Sequence, residues 1–558
     1  CGAPADPIHR IQGPGEASPL AGQQVTVEGI LTRDARGEGG FRGFYLQQGD
    51  ADTDDDPRTS EALFVYTPRK TGQPGDRLRV TGTVKEFHGL TELVDVRAVD
   101  VCGTSDLPEP IPISLPWSRL PESLENMRVA FTQPLTVIEH YQLAVFGELT
   151  LAERDQIIPT EYLPPGREAI AQSKRNLEHR VLLDDGKGVR HPRPIPWPTG
   201  GLGADSTVRA GDQVRRLTGI LDYRFGYWRV QPESPPAFSR PQPRPAPPPR
   251  HPQADLRLVA FNLQNYFNGN GQGGGFPTER GAQSLAEFER QSRQLTRTLI
   301  ALDADLLALT ELENDGRGEH SALRQLVRAL GEPWRAVLSS DSAGTDAIRT
   351  ALLYRSDRLR PTGAGARIRT GVYRSVGRPP LAQRFDVPGT GTSIQLVVPH
   401  LKSKSCQRAK GPDTDQNDGQ GCYSMRRLEE ARAITQWLGQ QNPDADNLTL
   451  IAGDLNSYSQ ESPLQHFAGA GYTSVVPHFH PCTPEACDHH SYRFKGEKGA
   501  LDHILVPPDL LSRVLSASTW NVNADEPRAL AELDMVPADQ PWRASDHNPV
   551  VVDLRLVP

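Results

Sequence analysis

Residues 231–254 read QPESPPAFSRPQPRPAPPPRHPQA. Proline at this density removes backbone donors and fixes φ, which works against helix and sheet and favours a stiff polyproline II spacer. The chain is therefore expected to fold as separate units on either side of it. At 558 residues it is also too long for a single core, and a prior of roughly 100 to 200 residues per domain suggests about three. The boundaries predicted from the sequence are 1–108, 109–230, the linker 231–254, and 255–558.

Before the linker the pattern is one of short alternating runs. Gln24-Val-Thr-Val-Glu28, Phe44-Tyr-Leu-Gln47, Ala62-Leu-Phe-Val-Tyr66 and Arg77-Leu-Arg-Val-Thr81 place apolar residues at every second position between Gly and Pro turns. That reads as a small antiparallel OB-like barrel, an architecture that often takes single-stranded nucleic acid or oligosaccharide. Residues 110–230 are less regular. They end in Gln213-Val-Arg-Arg-Leu-Thr-Gly-Ile-Leu-Asp222, whose GDQVRRLTGILD echoes the earlier GDRLRVTGTV, and a second OB-like barrel is expected there.

After the linker, strand-like runs begin at Leu256, Leu306, Thr350, Ile394, Leu448, His503 and Val550. They are interleaved with helical periodicity near 285–302, 320–330 and 425–440. Such alternation indicates a layered α/β domain, whose site gathers at the strand ends. The polar residues found there are Asn262, Glu311, His400, Asp454 with Asn456, Asp502, and Asp546-His547. A single Asn or Asp after a strand is ordinary turn chemistry. Six such positions, each closing an apolar run, are not explained that way.

In this order Asn, Glu, His, Asp-x-Asn, Asp, Ser-Asp-His resembles the endonuclease/exonuclease/phosphatase superfamily, the deoxyribonuclease I-like proteins, over roughly 255–558, with GDLN and SDHNPV as the strongest strings. The whole chain is similar to bacterial extracellular nucleases of the ExeM type through IHRIQG, VTVEGILT, RVTGTVKEFHGLTEL, LTGILDYRFG, FNLQNYF, HLKSK and GQGCYSMRR, with Pro399 and Ser424 standing where Asn is usual. The resemblance implies an α/β four-layer sandwich and hydrolysis of DNA, with RNA as a further substrate. It implies that Asp454 orients or deprotonates the attacking water, that Asn456 donates to the phosphoryl oxygens, that Asp502 orients His547 on the scissile phosphate, and that His400 is a general acid or phosphate clamp. Asn262, Glu311 and Asp546 offer hard oxygen ligands to Mg²⁺ or Mn²⁺. Arg378, Lys402 and Lys404 are candidate phosphate contacts.

Two acidic loops suggest structural calcium. One alternates Asp52, Asp54 and Asp56, and the other carries Asp413 and Asp415 in a partial match to a calcium loop that lacks the distal Glu. The six cysteines read as disulfides, Cys1 with Cys102, Cys406 with Cys422 and Cys482 with Cys487, formed outside the cytoplasm. Two other readings stand beside this one. Cys1-Gly2 also fits a lipidated start on an outer-membrane lipoprotein, and Cys482, Cys487, His489 and His490 also suit zinc.

A first residue that is not Met suggests a removed leader and export. No apolar run approaches the roughly 20 residues of a membrane span, and a monomer is expected. The net charge of -8 means that any polyanion must be held by local basic patches or cations rather than by the bulk field. Two rival functions keep parts of this reading: a phosphodiesterase acting on sphingomyelin or a phosphoinositide, and a non-catalytic adhesin binding DNA or glycan.

Overall fold

The computed structural model describes residues 1–374, 377–441, 448–537 and 540–557. Two compact units divide the chain. One comprises 1–156 with 176–243, and the other 157–175 with 244–558.

The first unit begins with a closed five-stranded barrel. Its strands are Gln24–Asp34, Gly43–Gln47, Ala62–Tyr66, Asp76–Phe87 and Leu90–Thr104, and closure comes from the first pairing with the fourth. The alternation read from the sequence is the physical reason: Val25, Val27, Leu31, Leu46, Leu63, Val65, Leu78 and Val80 all point into one buried cluster. His88 and Gly89, both at positive φ, make the tight turn between the last two strands. Cys1 is bonded to Cys102.

The second part of this unit departs from expectation. Instead of a second closed barrel, its strands form one nine-stranded sheet that runs from an edge strand Ala237–Ser239 to the opposite edge strand Ile111–Ile113. The repeated turn signal is real, since Gln213–Arg215, Thr218–Arg224 and Tyr227–Pro232 are strands. A turn motif fixes local hairpins, however, and leaves sheet closure undetermined. Pro112 within the outer strand suits an edge, where one row of backbone groups needs no partner.

The proline-rich stretch is not a free spacer. Ala237–Ser239 pairs with Gln213–Arg215. In the other unit, Arg244 bonds Glu526 at 2.8 Å and Arg250 bonds Asp305 at 2.6 Å. The interspersed arginines fasten a segment whose prolines alone predict none of these contacts.

The second unit is built on two six-stranded sheets. The first runs Trp334–Ala336, Ile348–Arg355, Leu306–Glu313, Leu256–Tyr266, Val550–Leu554, Val514–Thr519. The second runs Arg360–Arg367, Leu381–Val387, Thr392–Val398, Thr449–Asp454, Asp502–Val506, Thr473–Ser474. Side chains of both sheets share one core that includes Leu258, Leu306, Leu352, Phe385, Leu396, Leu450, Ile504 and Val552. The helices Leu285–Ala301 and Ala322–Leu330 pack on the outer face of the first sheet, and Ser424–Gln440 with Ser462–Gly469 on that of the second. The layers are therefore helix, sheet, sheet, helix. No helix among the described residues is long and apolar enough to cross a membrane.

Candidate active site

Asn262 and Glu311 lie on neighbouring parallel strands of the first sheet, Asp454 and Asp502 on neighbouring antiparallel strands of the second. The face-to-face packing brings these strand ends together. Pairing along the first sheet is interrupted by bulges between Asn262 and Tyr266 and between Leu309 and Leu312, and Glu311 itself sits at φ 60. A bulge re-aims a side chain out of the regular alternation. Here it coincides with the strained backbone that functional residues often carry. On the second sheet Gly453 is required by close approach, because a Cβ there would stand 2.3 Å from the Pro399 carbonyl oxygen. That contact lets His400 bridge directly to Asp454.

The polar side chains form one connected network. The Asn262 amide donates to Asp454 Oδ2 at 3.0 Å, and His400 Nε2 lies 3.4 Å from the same oxygen. The Asn456 backbone N–H donates to Asp454 Oδ1 at 2.8 Å. Glu311 accepts from the Asn265 N–H at 3.0 Å. Asp502 Oδ2 is 2.6 Å from His547 Nδ1, which leaves Nε2 as the ring nitrogen not engaged by Asp502. Ligand atoms of Glu311, His400 and Asp454 lie within 4.8 Å of one another, as do those of Asp454, Asp502 and His547.

The titration of the network follows its burial. Desolvation, reinforced by Asp502 and Glu311, pushes the Asp454 carboxyl up to about 7. Desolvation and the nearby Asp546 carboxylate raise Glu311. Burial works against the His547 cation, yet Asp502, with Asp546 and Asp454 behind it, pushes that imidazole up to about 10. His400 goes the other way. Burial first, then Arg378 and the His547 cation, hold it well below the usual histidine range. One histidine is thus kept charged and the other neutral, the separation that acid–base chemistry needs.

Among the described residues no Arg or Lys stands at ion-pair distance from Glu311, Asp454 or Asp546. Crowded carboxylates with no Arg or Lys partner among the described residues, joined by the Asn262 amide, make a hard-oxygen donor set that fits a divalent cation. A basic rim lies alongside. Arg378 donates to the Leu401 carbonyl at 2.7 Å and lies 4.0 Å from Asp346, which pairs with Arg280 at 2.9 Å. Burial and Arg378 lower the Lys402 ammonium, which rests 4.5 Å over the Tyr423 ring.

Other expected residues fall elsewhere. Lys404 is not on this rim. Its ammonium forms a buried ion pair with Glu461 at 2.5 Å, because Glu461 is fully enclosed and requires a counter-charge. The Asn456 side chain donates to the Leu401 carbonyl at 3.1 Å, leaving one amide N–H uncommitted. Of the five residues proposed for calcium, only Asp54 joins a grouping of potential ligands among the described residues, with His9 and Glu61. Asp56 is bonded by Arg58, whose guanidinium holds it down at about 2. Asp52 lies 3.7 Å from Arg77. Asp413 and Asp415 join no such grouping among the described residues. Cys406 is bonded to Cys422 and Cys482 to Cys487. With its two sulfurs joined, the latter pair has no thiolate to offer zinc, although His489 lies 3.9 Å away.

Several supports had no signal in the sequence. Ser491 Oγ accepts the backbone N–H groups of Leu501 and Asp502 at 2.9 and 3.0 Å. The Tyr492 ring lies 4.7 Å from the His547 ring. Ser545 donates to the Asn262 carbonyl at 2.7 Å and accepts from the His547 N–H at 3.1 Å. Of these, Ser545 alone carries a mark in the sequence, its place in SDHNPV, which is the exception to the rule.

The sequence model of the Endonuclease/Exonuclease/phosphatase family matches residues 259–547, which spans all of these strand-end positions. No curated protein matches the chain in sequence. Among solved structures it is similar to the human Nocturnin catalytic domain with bound sulfate anion, at 17% identity over 53% of this chain and 93% of that one, TM-score 0.35. It is similar to a mannosyl-6-phosphatase of Bacteroides thetaiotaomicron, at 13% identity over 54% and 99%, TM-score 0.35. A third is D. rerio TDP2 complexed with single strand DNA product, at 15% identity over 53% and 97%, TM-score 0.34.

Proposed function

Because the chain belongs to the endonuclease/exonuclease/phosphatase family, we propose that it is a divalent-metal-dependent extracellular nuclease that hydrolyses phosphodiester bonds of DNA. The observation that carries the reading is the convergence of Asn262, Glu311, His400, Asp454, Asp502 and His547 into one network. The three disulfides support an oxidising compartment. The closed barrel is read as an OB-like platform for nucleic acid.

Glu311, Asp546 and Asn262 would hold Mg²⁺ or Mn²⁺. Such a cation, when bound, supplies charge that offsets the phosphoryl oxygens of an in-line displacement. The remaining work belongs to side chains. Asp454, fixed through both oxygens by Asn262 and the Asn456 N–H, takes the proton of the attacking water. His547, held by Asp502 in the orientation that presents Nε2, donates to the phosphoryl group and holds the proton needed by the leaving oxygen. Neutral His400 steadies Asp454. Arg378 and Lys402 bind neighbouring phosphates of the strand.

The test is to incubate supercoiled DNA, linear DNA, RNA and sphingomyelin with the protein under Mg²⁺, Mn²⁺ or EDTA. Metal-dependent loss of DNA is expected, and its absence under EDTA. Intact DNA alongside hydrolysed sphingomyelin would overturn the assignment.

A further inference from the structure

The segment Ile157–Arg175 comes from the half of the chain that precedes the proline-rich stretch, yet it is part of the unit that carries the site. It is joined there by backbone hydrogen bonds from Ile158 to the Lys498 carbonyl at 3.0 Å and from Gln460 to the Thr160 carbonyl at 2.9 Å. At its centre Glu161 is 3% exposed, and burying a carboxyl so fully is costly unless its oxygens are bonded. They are. One oxygen accepts the backbone N–H of Ala500, and the other accepts the Ser459 hydroxyl at 2.5 Å and the Ser459 N–H at 3.4 Å.

These donors belong to the two loops that matter. Ser459 follows Asp454 and Asn456, and Ala500 precedes Asp502. The enclosure is tight: a Cβ on Gly499 would meet the Tyr458 ring at 2.6 Å and Glu161 Oε1 at 2.9 Å. A second contact runs in parallel. Ile158 packs with Tyr458 and Leu501 in a small core against which Tyr492 rests, and Tyr492 in turn lies on the His547 ring.

We propose that Glu161 is a positioning residue for the hydrolytic site, its carboxyl clamping the chain after Asp454 to the chain before Asp502 so that the two aspartates keep their spacing. The proposal rests on the hydrolytic reading of that site. It makes the catalytic unit discontinuous in sequence, completed by a segment from the N-terminal half. Misplacement of reacting groups by about 1 Å can lower a rate about 10²-fold, so the consequence is kinetic as well as structural.

The full-length protein is compared with its Glu161→Ala, Glu161→Gln and Ser459→Ala variants by DNA hydrolysis and, in metal-free protein, by amide hydrogen exchange. For Glu161→Ala we expect kcat to fall about 10²-fold with KM within about twofold. Peptides covering 455–461 and 498–503 should exchange about tenfold faster while distant peptides do not change. Glu161→Gln, which keeps an acceptor for the Ala500 N–H, should recover to within about tenfold of wild type. Ser459→Ala should give a smaller loss of the same pattern, and it decides the matter if Glu161→Ala does not fold. A kcat within twofold of wild type in Glu161→Ala, or exchange unaltered in both loops, overturns the proposal. Wild-type protein inactive on every phosphodiester would instead sink the hydrolytic reading, and the exchange comparison would still decide whether Glu161 clamps the loops.

Discussion

Three strands, Leu256–Tyr266, Leu306–Glu313 and Val550–Leu554, have acidic side chains on or beside them at both ends, and the two ends partner those carboxylates differently. At one end Arg257 forms a bidentate pair with Asp553 at 2.7 and 2.8 Å, and Arg250 pairs with Asp305, which also accepts the Arg257 N–H at 2.8 Å. Each carboxylate there faces a guanidinium fork. At the other end Glu311, Asp546 and the facing Asp454 have, among the described residues, no Arg or Lys at ion-pair distance, and amide N–H groups and imidazoles stand in their place. Compensated charge fixes the strands in register. Uncompensated charge, on the same strands, is left available for a cation and a phosphate. The comparison teaches that burial alone does not mark a functional acid, and that the absence of its structural partner does.

The contrast can be broken at either end. Asp454→Ala and His547→Ala should lower DNA hydrolysis by about 10³-fold to 10⁴-fold, and Asp454→Ala, which breaks no ion pair with Arg or Lys, should leave the thermal midpoint near that of wild type, measured by nuclease assay alongside a melt. Arg257→Ala should do the reverse. Leaving Asp553 buried and unpaired is expected to cost about 3 to 5 kcal/mol, read by urea unfolding, with the rate per folded molecule unchanged. Equal loss of stability from Asp454→Ala and Arg257→Ala would erase the distinction between the ends.

A smaller effect sharpens it by pH. Burial pushes the Glu161 carboxyl up to about 7 against the pull of its bonds from Ser459 and Ala500, whereas an unfolded Glu titrates near 4.3. The folded state therefore binds this proton more tightly. Its contribution is fully present below about 4.3 and is lost as pH rises through about 7, a change on the order of 4 kcal/mol. Urea unfolding of wild type and Glu161→Gln at pH 5 and pH 8 should show the wild type losing more stability than the variant over that interval. Parallel losses would contradict the assignment of that slope to Glu161.

The chain announces the uncompensated end more clearly than the rest. Asn262, Glu311, His400, Asp454, Asp502 and His547 each stand at or near the end of an apolar run, so one-dimensional pattern and three-dimensional layer coincide. The expected helices near 285–302 and 425–440 appear as Leu285–Ala301 and Ser424–Gln440 for the same reason, since periodicity reports which face is buried. What lay outside the pattern depends on pairing across distance. Lys404 looks like a solvated phosphate contact until the fold places Glu461, 57 residues on, beneath it. Glu161 lies in PTEYLPP, which has no periodicity to read, and its partners are some 300 residues away. The bulge at Glu311 leaves no mark either, because a strand of LLALTELE is equally well formed without it. The nine-stranded sheet is not legible in the sequence because the GDxV and LTG strings encode a hairpin, and the partners that extend it come from shorter, irregular runs.

The most direct test of an unneutralised strand end is calorimetric titration of metal-free protein with Mn²⁺, for wild type and Glu311→Gln, with DNA hydrolysis measured on the same samples. One ion per chain bound by wild type, with binding and hydrolysis both lost in Glu311→Gln and that variant no less stable, is the predicted result. Equal Mn²⁺ binding by both proteins, or hydrolysis that persists in Glu311→Gln with EDTA present, would contradict it.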